Sequence, residues 1–274
     1  HLEGGAVGMR VTKGFNRTVA FSWAGGKKWM ADIIGLYLPS DIKRLLIPFF
    51  GRGDYLRLIR NMGIEAPALA SDIHPWLVAA HRGIRQNPGE VVQLLKEHQD
   101  RHSSNHFIRV RDAFSQENPE PRIAADFIYM MNATYKACLK QGRNGERQNT
   151  SACRSVSCQP AAIYALAIAL RNTEFFVEDF SVMADRAREG DFILLDSPYV
   201  NAMGYGNVSF TKEDHIRLRD ACLEIHRKGV PFMLASADDP WIRELFGAFS
   251  VETVTAPRGL GAERQKREII VSNY

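Results

Sequence analysis

Cysteine is scarce: Cys138, Cys153, Cys158 and Cys222 are the 4 cysteines in 274 residues, and no CxxC pair occurs. That excludes a disulfide-built scaffold, and the spacing lacks the paired short steps of a structural zinc site, so no metal is expected. Long apolar runs are missing as well. None approaches the roughly 20 residues that cross a bilayer, so a membrane partner is not expected. Residues 1–8 have neither the basic start nor the apolar stretch of a secretory signal. Residues 1–14 read as a tag remnant or disordered leader, and the protein as cytoplasmic. Internal repeats and low-complexity segments are absent too. Charge of one sign barely prevails, with 35 Lys and Arg against 31 Asp and Glu, a net charge of +4. This permits a polyanionic partner without demanding one.

What is present is ordinary globular material, 45% hydrophobic and 24% charged, and enough of it for one large α/β unit with an insertion. Residues 19–23 read as a short strand ending in the turn Ala24-Gly25-Gly26-Lys27, and residues 29–38 have helical periodicity. The apolar run Leu45-Leu46-Ile47-Pro48-Phe49-Phe50 reads as a strand entering Gly51-Arg52-Gly53. A helix is expected over 55–61, a second buried strand over 68–72 and a helix over 75–85. That order is a βαβ unit. Between 87 and 170 strand-like runs disappear, which predicts a mostly helical insertion. Strands return over 174–177, 191–195 and 231–236, and residues 249–255 and 268–271 suit an antiparallel pair at the sheet edge. The predicted fold is a doubly wound, Rossmann-like α/β sheet, formed by residues 15–86 and 171–274, interrupted by a helical domain over 87–170.

In open α/β sheets ligands bind beyond the carboxyl ends of the strands, so the residues just after each apolar run are the candidates for chemistry. Gly51 and Gly53 let backbone pass close to a ligand. Asp72 stands 19 residues after Gly53 at the end of the next strand, where an acid accepts from ribose hydroxyls or caps the following helix. The Gly25-Gly26-Lys27 turn suits an anionic group at a helix start. Asp196-Ser197-Pro198-Tyr199 offers an acceptor, a proline-fixed turn and a flat ring. Those serve a flipped nucleobase; the other reading is a strand-terminal turn with Tyr199 in the core.

Taken together and in order, Trp23-Ala24-Gly25-Gly26-Lys27, Pro48-Phe49-Phe50-Gly51-Arg52-Gly53, Ser71-Asp72-Ile73, Glu178-Asp179-Phe180 and Asp196-Ser197-Pro198-Tyr199 resemble the Dam-type (D12 class) DNA adenine N6-methyltransferases. The likeness continues through Ser209-Phe210-Thr211 and the closing Glu268-Ile269-Ile270-Val271-Ser272-Asn273-Tyr274. It implies transfer of a methyl group from S-adenosylmethionine to N6 of a flipped adenine in double-stranded DNA, by a monomer. It also implies a cofactor-binding set of Trp23, Ala24, Gly25, Lys27, Phe49, Gly51, Gly53, Asp72, Asp179, Phe180 and Asp196. Within that set Lys27 would face the cofactor carboxylate, Asp72 the ribose, and Asp179 and Phe180 the adenine ring. The catalytic set is Asp196, Ser197, Pro198 and Tyr199: Asp196 and the Ser197 carbonyl would accept from the target amino group, and Tyr199 would stack on the base. Lys136, Lys140, Arg143, Asn144, Arg147 and Arg154 resemble a base-reading hairpin, while Arg258, Arg264 and Lys266 suit phosphates.

The sequence departs from the family pattern at Ser197, where proline is usual, and at Arg52, where a small residue is usual. Arg52 would lie near a sulfonium unless it turns outward or pairs with Asp54 or Asp72. Two other readings stay open at this level: a DNA-binding relative with weak catalysis, and a methyltransferase acting on RNA or on N4 of cytosine.

Overall fold

The computed structural model describes residues 19–23, 26–27, 30–115, 117–134, 154–200, 210–256 and 266–274. Seven strands among them form one sheet in the order β3-β2-β1-β4-β5-β7-β6. In chain order they are β1 (Arg44–Ile47), β2 (Ala68–Asp72), β3 (Thr173–Val177), β4 (Asp191–Asp196), β5 (Phe232–Ala237), β6 (Ser250–Ala256) and β7 (Lys266–Ser272). The first five are parallel, and β7 runs antiparallel to both β5 and β6. From β1 the chain steps outward to β2 and β3, then returns to place β4 on the other flank of β1. The strand order therefore reverses between β1 and β4, and the crevice beyond their carboxyl ends is where such a sheet takes its ligand.

The helices are α1 (Ala31–Ile34), α2 (Asp54–Asn61), α3 (Pro75–Gln86), α4 (Pro88–Asp100), α5 (Ser104–Ala113), α6 (Glu120–Ala133), α7 (Pro160–Ala169), α8 (Phe180–Asp185), α9 (Lys212–Arg227) and α10 (Pro240–Leu245). Alternation along the strands sorts the core into two layers. Leu45, Ile47, Ala70, Phe192 and Leu194 face one way, into a cluster with α2, α3 and residues of α4 to α7 such as Val91, Phe107, Phe127 and Ile163. Leu46, Ile193, Leu195, Phe232 and Leu234 face the other way, against Met183 of α8, Leu218 and Cys222 of α9 and Ile242 of α10. Helices of the 87–170 segment thus share a core with the sheet. The closest crossing is at Gly83 of α3, where a Cβ would stand 2.2 Å from the Glu120 carbonyl oxygen.

Three sequence expectations need correction. Residues 19–23 are not a strand: the Ser22 amide donates to Asn132 Oδ1 of α6 at 3.0 Å instead of to a ladder partner. Ala20 and Phe21 are buried because Phe21 packs edge-on against Phe127, so the apolar character there comes from packing. The helix expected over 29–38 is the single turn α1, ending at Gly35. The β1 strand stops at Ile47: Pro48 has no amide to give the ladder, and Phe49 turns into the left-handed region at φ +59°. A left-handed, non-glycine residue at the switch point is backbone strain held by its surroundings.

Candidate active site

The glycine turn after β1 is built for close backbone approach. Gly51 has φ +52° and Gly53 φ +78°, and a Cβ on Gly53 would meet the Phe50 ring at 2.9 Å. Two groups hold this turn. Asp72 Oδ2, at the end of β2, accepts from the Gly51 amide at 3.1 Å, and its Oδ1 accepts from the His74 amide at 3.0 Å. His81, in the middle of α3, donates from Nε2 to the Gly51 carbonyl at 2.8 Å. Burial pushes His81 down to about 4, so the ring is neutral and its one proton sits on Nε2, the nitrogen facing the carbonyl. Burial raises the Asp72 carboxyl, with the amides of His74, Gly51 and Ile73 opposing. The cap of α3 is His74, whose Nδ1 accepts from the Leu77 amide, so Asp72 is not the helix cap.

Arg52 pairs with Asp54, one of the two outcomes expected for it. Its Nε donates to Asp54 Oδ1 at 3.0 Å and its Nη2 to Oδ2. Asp54 Oδ2 also takes the Lys27 amide at 2.9 Å, and a Cβ on Gly26 would stand 2.6 Å from Arg52 Nη2. Arg52 and Asp54 together therefore clamp the Gly26-Lys27 backbone onto the start of α2. Trp23 packs edge-on against His74, with Gly51 close to its indole nitrogen.

Asp196 ends β4, immediately across the switch point, with its side chain 19% exposed. Lys27 Nζ lies 3.3 Å from Asp196 Oδ1, 2.8 Å from Glu268 Oε2 and 3.3 Å from Tyr199 Oη, and Tyr199 Oη donates to Glu268 Oε1. The ammonium expected to face a cofactor carboxylate thus faces two carboxylates of the protein. Burial raises the Asp196 carboxyl to about 6; Lys27 opposes that shift and Glu268 adds to it. Burial alone would lower Lys27, but Asp196 and then Glu268 outweigh it and keep the ammonium charged above the ordinary lysine range. Ser197 is buried, and among the described residues its hydroxyl has no hydrogen-bond partner, nor has the buried hydroxyl of Tyr55.

On the other flank Phe49 stacks on Phe180 at 5.1 Å, with Phe210 edge-on to Phe49. Asp179 caps α8 by accepting from Ser181, and pairs with Arg217 at 2.7 Å. Ile73 and Val177, at the carboxyl ends of β2 and β3, are 53% and 49% exposed. Exposed aliphatic side chains beside a half-buried acid and a glycine turn fit an adenosine group with a polar tail. Sequence reasoning gave no role to Tyr55, His81, Ile73, Val177 or Glu268, and named Asp54 only as a possible partner of Arg52. The visible signal for Glu268 was an acid directly before the apolar run Ile269-Ile270-Val271.

Ala24 and Gly25 lie outside the described residues, as do Lys136, Lys140, Arg143, Asn144, Arg147, Arg258 and Arg264, and so do Cys138 and Cys153. Arg154 is exposed, and Lys266 opens β7. Among the described residues no group of three His, Cys, Asp or Glu is placed to hold a metal, and no helix is long and apolar enough to cross a membrane.

Comparison with known proteins bears on the same residues. The family model of the D12 class N6 adenine-specific DNA methyltransferases matches residues 23–260. The chain is 27% identical to the type II methyltransferase M1.LlaDCHI of Lactococcus lactis subsp. cremoris, covering 92% of this chain and 94% of that protein. It is 27% identical to the DNA N-6-adenine-methyltransferase of Escherichia phage P1, over 93% of this chain but 34% of the phage protein. To the type II methyltransferase M.CviBI of Paramecium bursaria Chlorella virus NC1A it is 25% identical, over 83% of this chain and 85% of that one.

Proposed function

Since the chain belongs to the D12 class of N6 adenine-specific DNA methyltransferases and methylates adenine N6 in DNA, we propose that its methyl donor is S-adenosylmethionine, bound across the β1–β4 switch point, and that its target base is flipped into the Asp196-Ser197-Pro198-Tyr199 turn. One observation carries this reading: Asp196 ends β4 beside the glycine turn that follows β1, partly open, with its carboxyl raised to about 6. Cofactor and base sites then share one crevice.

S-adenosylmethionine supplies the electrophile, a methyl carbon on positively charged sulfur. The chain must make the other partner reactive. The amino nitrogen of adenine is a poor nucleophile because its lone pair is delocalised into the ring. Acceptance of its two hydrogens, by the Asp196 carboxylate and the Ser197 carbonyl, draws them out of plane and restores electron density on nitrogen. In such a transfer Asp196 would offset the positive charge growing on the amine nitrogen and would take its surplus proton. Tyr199 gives the base a face to stack on. The carbonyl of Ser197 serves where proline is usual, since the acceptor is main chain.

For the cofactor, Asp72 accepts from the ribose, and Ile73 and Val177 flank the adenine with Phe180 and Asp179. Gly51 and Gly53, with Trp23, Ala24, Gly25, Lys27 and Phe49, line the methionine end. Residues 87–170 read the target site, with Lys136, Lys140, Arg143, Asn144, Arg147 and Arg154 on the DNA, and Arg258, Arg264 and Lys266 on phosphates. Titration calorimetry tests the cofactor part. The wild type is expected to bind S-adenosylmethionine at one site, and Asp72→Ala to weaken it roughly tenfold or more, the worth of a lost hydrogen bond to a charged group. Undiminished affinity in Asp72→Ala would overturn this placement.

A further inference from the structure

Glu268 is 2% exposed, and a buried carboxylate must be compensated. It enters the site because β7 is antiparallel. Opposite Ala237 of β5, it arrives at the carboxyl edge of the sheet, where a parallel strand would bring its last residue instead. Both its oxygens are used, Oε2 by Lys27 at 2.8 Å and Oε1 by the Tyr199 hydroxyl. Lys27 therefore sits between two carboxylates, nearer to Glu268 than to Asp196, at 2.8 Å against 3.3 Å.

We propose that Glu268 is a positioning residue for methyl transfer: its carboxylate draws the Lys27 ammonium away from Asp196, leaving Asp196 lone pairs for the target amine, and anchors the hydroxyl of the ring on which the base stacks. The inference rests on the roles given to Asp196 and Tyr199 above. Without the Glu268 charge the pull on Lys27 from that side is lost, and Lys27 and Asp196, already 3.3 Å apart, close on each other. The groups that face Asp196 are Lys27 from the turn before α1, Asp54 and Tyr55 from α2, Tyr199 after β4, and Glu268 from β7. Of these Lys27 favours the ionised form of Asp196, while Glu268 and Asp54 oppose it.

The test is Glu268→Gln, which keeps the shape and removes the charge. The acid limb of kcat/KM is expected to move down by about one pH unit as Lys27 closes on Asp196, with kcat reduced roughly tenfold. A lowered melting temperature with kcat and acid limb unchanged would mean a purely structural role and overturn the proposal. Tyr199→Phe, measured alongside, keeps the ring and cuts one of the two links. It is expected to raise KM for DNA several-fold with the acid limb unmoved, because the Glu268 charge remains; wild-type KM overturns the proposal even if Glu268→Gln does not fold. Asp196→Asn separates the layers. If it stays active, the reading of the site fails. If it is inactive while Glu268→Gln behaves as wild type, only the role of Glu268 fails.

Discussion

In the proposed reaction Asp196 can take the surplus proton of the amine only when ionised, and its carboxyl stands at about 6 because burial outweighs Lys27. Below that value the group carries a proton and points a hydrogen, not a lone pair, at the amine. The sign follows: kcat/KM for the wild type should be level above about pH 6 and fall about tenfold per unit beneath it, the behaviour of a single essential base in the free enzyme. A profile flat from pH 5 to 7 would contradict this. Asp196 and Asp72 were legible in the sequence because each is an acid closing an apolar run. Arg52 was legible as an anomaly, and its resolution, Asp54 two residues on, was named among the alternatives. Glu268 was not assigned, because its meaning depends on which strand lies beside which, and β7 is far from Lys27 and Tyr199 along the chain.

At the scale of elements, β2, α2 and α3 stand where hydrophobic periodicity put them, since each is a regular amphipathic or buried run. Residues 19–23 misled because two buried apolar residues look alike whether a ladder or a helix face covers them. The mostly helical character of 87–170 was legible, but neither helix α6 itself nor its neighbour was: nothing in the period says that it lies on α3. The crossing depends on Gly83, where a Cβ would be 2.2 Å from one backbone atom of the α6 start and 2.5 Å from the next. Backbone cannot yield as a flexible side chain does, so Gly83→Ala is expected to cost about 3 kcal/mol, the upper end of ordinary overpacking. Chemical denaturation measures it directly. A loss below about 0.5 kcal/mol, the scale of a neutral surface change, would show that the two helices separate freely.

At the scale of the whole molecule the proposed cofactor and base sites fall on one sheet edge. The strand reversal sets the glycine turn and Asp72 on one flank and Asp196 on the other, and the antiparallel β7 returns Glu268 to the same edge. Composition could announce none of this; a net charge of +4 is nearly silent about DNA. Motif order carried the recognition, because short motifs that are weak singly become specific when five occur in sequence. The account turns on Asp196 as the group that makes the amine reactive. Its most direct test is nucleoside mass spectrometry of duplex DNA incubated with S-adenosylmethionine and either wild type or Asp196→Asn, with cofactor affinity measured in parallel. The account predicts N6-methyladenine from the wild type, and at least a hundredfold less from the variant, the order of loss for a general base, at near-normal cofactor affinity. N6-methyladenine at the wild-type rate from Asp196→Asn would contradict it.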